Sequence, residues 1–292
     1  MFKGSMVAIV TPMSEDGAID KNALQDLIEW HIQSKTTAII VAGSTGEAAT
    51  LDHSEQADLI KFAVKQAAGR IAIIAGTGTN CTRTTLELTE QAKKAGADAC
   101  LIVTPYYNRP TQKGLYQHYK TIAERIAIPI ILYNVPMRTG CDLLAETAAA
   151  LSKIPNIIGI KEATGKLDRA KTILETCDDN FSVYSGDDAT CLDLMLHGAK
   201  GVISVTANVA PLKMSAMCEA ALVENKTLAE KINAELMPLH TRLFLESNPI
   251  PTKWALQQLG KISSGIRMPL LPLDPKFHQE VKEAMQIAGV IS

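Results

Sequence analysis

A lysine closes an apolar run at IIGIKEATG, residues 157–165. Ile157, Ile158 and Ile160 read as a strand covered on both faces, with Lys161 and Glu162 directly after it. An ammonium group held where water is scarce gives up its proton more readily than one on a solvated loop, and the neutral amine is a nucleophile. Residues that follow other apolar runs supply what such an amine would use. They include Gly43, Ser44, Thr45, Gly46 and Glu47; Thr104, Tyr106 and Tyr107; Tyr133 and Asn134, with Arg138 nearby; Gly186 and Asp187; and Ser204 to Thr206. This set suits Schiff-base chemistry. The amine attacks a ketone, water leaves, and the imine acts as an electron sink; a proton then leaves the neighbouring carbon, and the enamine attacks a second carbonyl. Tyrosine and serine hydroxyls can move the protons, and the amides of a glycine-rich turn can hold a carboxylate. No metal or other cofactor is needed.

Each residue also has a plainer reading. A lone lysine after a strand is usually a snorkelling surface group. Tyr133 could close a barrel layer, Tyr106 and Tyr107 could be a packing pair, and Arg138 could join a surface ion pair. Ser44 and Thr45 are common turn residues, and for Glu47 bracing the turn is the favoured reading. The chemical interpretation rests on co-location: separate strand ends must deliver these groups to one face.

The elements that would do so are visible as eight apolar runs: MVAIV (6–10), AIIVA (38–42), IAIIA (71–75), ACLIV (99–103), IPIILY (128–133), NIIGI (156–160), FSVYS (181–185) and GVISV (201–205). Rich in Ile and Val and without polar alternation, they predict strands buried on both faces. Helical spacing fills 20–34, with Asp20 as N-cap; 54–68, after Ser54; and 82–95, 112–125, 142–152, 167–176 and 188–197, with Gly96 and Gly198 near helix ends. The alternation predicts a (β/α)8 TIM barrel over residues 1–224. An open doubly wound sheet would carry a G-x-G-x-x-G turn after its first strand, and GTGTN at 76–80 is only a G-x-G. Beyond 224, NKTLAEKINAELMPLHTRLFLE, NPIPTKWALQQLG and PKFHQEVKEAMQIAG predict three helices, a C-terminal helical extension over 225–292.

The totals exclude several classes. With 292 residues, 47% of them apolar, the chain can build a large core. A net charge of −2, from 29 basic and 31 acidic side chains, offers no surplus for nucleic acid or an anionic membrane. The six cysteines form no C-x-x-C pair and the histidines no H-E-x-x-H, so neither a disulfide framework nor a zinc site is expected. MFKGSMVAIVTPM is not read as a signal peptide, and no run approaches the ~18 apolar residues of a membrane span. A cytoplasmic enzyme is expected.

GSTGE (43–47), TPYYNRP (104–110), YNVPMRTG (133–140), GIKEATG (159–165) and SGDD (185–188) resemble the motifs of the dihydrodipicolinate synthase family, and the resemblance runs from residue 1 to the C-terminal helices. The GxxGE turn and the YNxP…GxKE pair mark the wider pyruvate-dependent lyase superfamily. Arg138 is narrower, since sugar-acid lyases generally carry an apolar residue there. The resemblance implies that Lys161 forms an imine with pyruvate and that Tyr133 shuttles protons. It implies that Ser44 and Tyr107 complete the proton relay, Tyr107 reaching into a neighbouring subunit's site. Thr45 would help hold the pyruvate carboxylate, Arg138 would face the carboxylate of the second substrate, L-aspartate-4-semialdehyde, and main-chain groups of Gly186 and Ile203 would line the pocket. The pathway implied is diaminopimelate and lysine synthesis, and the assembly a homotetramer, a dimer of tight dimers.

Two positions depart from the family pattern. Ser44 stands where threonine is usual; the hydroxyl survives, but its torsion is freer, so a modestly lower rate is expected. In lysine-inhibited members an acidic residue and a histidine occupy the positions of Thr84 and Gln56, while His53, Asn80 and Tyr106 are retained. Losing the carboxylate partner of a cationic ligand predicts weak or absent inhibition by lysine. Arg138 argues against an N-acetylneuraminate lyase or a keto-deoxy sugar-acid aldolase, whereas a small-acid aldolase that keeps an arginine stays open. A non-catalytic keto-acid binder would lack Lys161 or Tyr133, and a metal-dependent barrel hydrolase would need His and Asp ligands at strand ends.

Overall fold

The eight apolar runs are eight parallel strands: β1 (Gly4–Ala8), β2 (Ala38–Val41), β3 (Ala72–Gly76), β4 (Ala99–Val103), β5 (Ile130–Asn134), β6 (Ile157–Glu162), β7 (Ser182–Ser185) and β8 (Gly201–Ser204). Each pairs with the next and β8 returns to β1, giving a closed (β/α)8 barrel. The computed structural model describes residues 2–178 and 180–292. Inside the barrel the core is Met6, Ala8, Ala38, Ile40, Ile74, Leu101, Ile131, Tyr184 and Ile203, with Tyr133 above them. The outward strand residues, such as Val7, Ile39, Ile73 and Ile130, pack with the helices into a second core. This double burial is why the strands carry no polar alternation.

Around the strands lie α1 (Lys21–Gln33), α2 (His53–Ala67), α3 (Thr82–Ala95), α4 (Gln112–Arg125), the single turn α5 (Pro136–Thr139), α6 (Ala145–Ser152), α7 (Leu167–Thr176), α8 (Cys191–Leu196) and α9 (Pro211–Leu222). Asp20 caps α1 as expected, accepting a bond from Ala23 N at 2.9 Å. The α2 cap lies earlier than Ser54. Asp52 accepts from Glu55 N at 2.8 Å, and the Glu55 carboxylate accepts from Asp52 N at 3.0 Å, a reciprocal capping box. Helix α9 was not among the amphipathic stretches, because it has no polar face to mark a stripe: Pro211, Met214, Ser215, Met217, Cys218, Ala220 and Ala221 are all buried.

The C-terminal helices are α10 (Lys226–Arg242), α11 (Ile250–Gln258) and α12 (His278–Ile287), close to the three predicted. α10 packs on α9 and α12. The segment 248–267 does more than cover the barrel, since its side chains reach the turn after β2. No helix among the described residues is long and apolar enough to cross a membrane.

Candidate active site

Lys161 lies within β6, not after it, paired with Tyr133 of β5 on one side and Tyr184 of β7 on the other. Strand pleating turns it inward with Tyr133, and its Nζ sits 4.4 Å from the centre of the Tyr133 ring. Only 5% of Lys161 and 7% of Tyr133 is exposed, and Lys161 belongs to no ion pair among the described residues. A buried amine without a counter-ion is costly, so its position calls for a use. Gly186 makes room for it: a Cβ there would stand 2.9 Å from Lys161 Cε and 2.6 Å from Ala163 Cβ. Ile203 is buried in the same interior.

The next residue on each strand points outward, where Asn134 meets Glu162. Asn134 Nδ2 donates to Glu162 Oε2 and to Asp142 Oδ1, each at 3.0 Å, and Asn134 Oδ1 accepts from Leu143 N at 2.9 Å. Glu162 Oε1 accepts from Thr164 N at 2.8 Å. Arg169 grips both oxygens of Asp142 at 2.9 Å, and its guanidinium holds that carboxyl below the usual carboxylate range. This crossbar behind the wall fixes the register that sets Lys161 beside Tyr133. A one-residue slip of β6 against β5 would take Lys161 off the interior face beside Tyr133.

The turn Gly43–Glu47 is fastened from several directions. Thr11 Oγ1 donates to Gly46 O at 2.7 Å. Asn248 Nδ2 donates to Thr45 Oγ1 at 2.9 Å, across 203 residues of sequence. Glu47, in the left-handed region at φ 57°, pairs with Lys253, and its other oxygen accepts from Arg267 N at 3.2 Å. Burial pushes the Lys253 ammonium below its ordinary pKa, against the opposing pull of Glu47. Arg267 also forks onto Glu55 at 2.6 and 2.7 Å and donates to Thr50 O at 2.9 Å. Glu47 is therefore a brace, as its favoured reading had it.

Arg138, on α5, is exposed and donates from Nη2 to Asn248 O at 3.0 Å, so Asn248 touches both Thr45 and Arg138. In the SGDD stretch, Asp188 Oδ2 accepts from Val205 N and Thr206 N at 2.8 and 2.9 Å, which pins the end of β8. His240 of α10 lies behind it, 2.9 Å from Thr206 Oγ1, and burial lowers its proton affinity.

The fold thus brings Lys161, Tyr133, Gly186 and Ile203 to the barrel interior, and seats Thr45 and Arg138 on one asparagine. Ser44 is half-buried on the same turn as Thr45. Tyr107 is not brought to Tyr133 within one chain: it is 89% exposed, with a left-handed backbone at φ 72°. Of the positions compared with the lysine-inhibited pattern, Gln56 is buried and donates to Gly76 O at 2.6 Å, and Thr84 is half-buried. Asn248, Thr252, Lys253 and Arg267 were not picked from sequence. Asn134 and Glu162 stood inside the quoted motifs, and strand alternation was the signal that could have assigned them.

The Dihydrodipicolinate synthetase family model matches residues 1–288. The 4-hydroxy-tetrahydrodipicolinate synthases of Ectopseudomonas mendocina (strain ymp) and Pseudomonas aeruginosa are 58% and 57% identical over 292 residues, with all of each chain covered. Among solved structures, the chloride-inhibited dihydrodipicolinate synthase of Acinetobacter baumannii, complexed with pyruvate, superimposes with a TM-score of 0.98 at 52% identity over 100% of both chains. The dihydrodipicolinate synthase of Aquifex aeolicus does so with a TM-score of 0.97 at 45% identity over 99% of each.

Proposed function

The chain belongs to the dihydrodipicolinate synthetase family and is a lyase that condenses pyruvate with aspartate-4-semialdehyde in the diaminopimelate and lysine route; from that premise we propose how its own residues do so. Lys161 Nζ bonds to C2 of pyruvate and water leaves, giving an imine. Loss of a proton from C3 gives the enamine, and C3 bonds to the aldehyde carbon of L-aspartate-4-semialdehyde, whose oxygen takes up a proton. The amine of the second substrate then bonds to C2, and the Lys161–C2 bond breaks, closing the ring and freeing the lysine. Tyr133 moves the protons, in a relay with Ser44 and a partner subunit's tyrosine at 107. Thr45 holds the pyruvate carboxylate, Arg138 that of the second substrate, and main-chain groups of Gly186 and Ile203 line the pocket.

The observation that carries this reading is the buried Lys161, without a counter-ion among the described residues, stacked 4.4 Å over Tyr133. The barrel of residues 1–224 forms the walls, and the extension of residues 225–292 braces them. The exposure of Tyr107 and Met137, at 89% and 93%, supports an assembly in which a second copy covers them, a homotetramer built as a dimer of dimers. The enzyme works in the cytoplasm and lysine inhibits it weakly or not at all.

Incubation with pyruvate and then borohydride tests the chemistry. A mass adduct on Lys161 is expected, and its absence at saturating pyruvate overturns the assignment. In the rate assay of the same preparation, half-inhibition by sub-millimolar lysine removes the regulatory part of the reading. Sedimentation as a monomer removes the tetramer.

A further inference from the structure

Asn248, Thr252 and Thr45 form a hydrogen-bonded chain. Thr252, on α11, is fully buried, and its Oγ1 donates to Asn248 Oδ1 at 3.1 Å. With the amide turned over, Thr252 Oγ1 would accept from Asn248 Nδ2 and its own proton, in a fully buried place, would have no acceptor; the orientation in which Thr252 donates strands no proton there. Asn248, 4% exposed, then presents Nδ2 to Thr45, whose Oγ1 accepts at 2.9 Å. Thr45 is 2% exposed, and among the described residues its own hydroxyl proton has no acceptor. A hydroxyl whose lone pair is engaged by a donor has its proton left to give, and a carboxylate is an acceptor only.

We propose that Thr252 and Asn248 are positioning residues that polarise Thr45, so that its hydroxyl donates to the carboxylate of pyruvate. The proposal rests on the assignment of Thr45 to that carboxylate. With the amide reversed, Thr45 would donate to Asn248 Oδ1 and turn lone pairs toward an anion. The C-terminal extension thereby sets substrate affinity without touching substrate. Asn248 also accepts from Arg138 through its main-chain oxygen at 3.0 Å, so the same residue seats the arginine assigned to the second substrate.

The test is the split between KM and kcat. Thr252→Val keeps the shape and removes the donor. It should raise the KM for pyruvate by about tenfold, the scale of one hydrogen bond to a charged group, with kcat within about twofold of the parent. Thr252→Ser restores the donor and should restore the parent KM. The pyruvate concentration giving half-maximal borohydride adduct on Lys161 should move with KM. Asn248→Asp, of the same shape, turns an acceptor and a negative charge toward Thr45 and should raise that concentration further. An unchanged pyruvate KM in Thr252→Val overturns the proposal, as does a fall in kcat that Thr252→Ser does not rescue. If Thr252→Val does not fold, Asn248→Asp decides by the same half-saturation. If neither variant folds, the two side chains are structural and the proposal fails. No adduct in the parent protein at any pyruvate concentration would instead remove the assignment of the site, a separate result.

Discussion

Lys161→Met should lose the condensation by at least about 10⁴-fold, the scale seen when a covalent nucleophile is deleted, while the fold survives. Methionine matches the length of the side chain and removes only the amine. Among the described residues the one other buried lysine is Lys253, and it is tied to Glu47, so no second amine stands ready in the interior. The thermal midpoint should hold or rise, because the substitution replaces a buried polar amine that has no ion-pair partner among the described residues with an apolar side chain. Lys161→Arg should be equally inactive, since a guanidinium stays charged and does not condense with a ketone. Rate, borohydride adduct and thermal midpoint are measured on one preparation of each variant. Activity above about one per cent of the parent in either variant would show that the bond to C2 is made elsewhere.

Lys253→Met should destabilise the protein by about 3–5 kcal/mol, the cost of leaving one member of a buried ion pair without the other. Among the described residues Glu47 would keep only the amide of Arg267, at 3.2 Å, as partner for a residue that is 2% exposed. Against a total stability of about 5–15 kcal/mol that is a large fraction. The double variant Glu47→Gln, Lys253→Met should recover most of the loss, because two neutral side chains of similar volume carry no uncompensated charge. Since Glu47 shapes the turn that carries Ser44 and Thr45, the single variant should also bind pyruvate less tightly. Urea midpoints for the two singles and the double close the cycle. A loss below about 1 kcal/mol in Lys253→Met would place the pair among ordinary surface bridges.

The strands were legible because both of their faces are buried, which writes a continuous apolar run into the chain. Lys161 was legible because a charge stands out at the end of such a run. Asn134 and Glu162 were in view, but whether a residue faces inward or outward depends on where the pleat starts, and β6 runs two residues further than its apolar core. Tyr107 was expected at a neighbouring subunit, and the single chain leaves it outside its own site. Asn248, Thr252, Lys253 and Arg267 lie some 200 residues from the turn they hold. No local pattern marks a side chain whose partner is that distant. Helix α9 escaped because burial on nearly every side erases the stripe that periodicity reads.

The braces from Asn248, Lys253 and Arg267 also impose an order on the birth of the enzyme. A nascent polypeptide emerging from the ribosome can lay down all eight strands, with Lys161 already flanked by Tyr133 and Tyr184, before residue 267 exists. The cradle for the first substrate tightens only once residue 267 has been added, well after β8 ends at Ser204. Catalytic competence is thus withheld until helices that follow the barrel have been made.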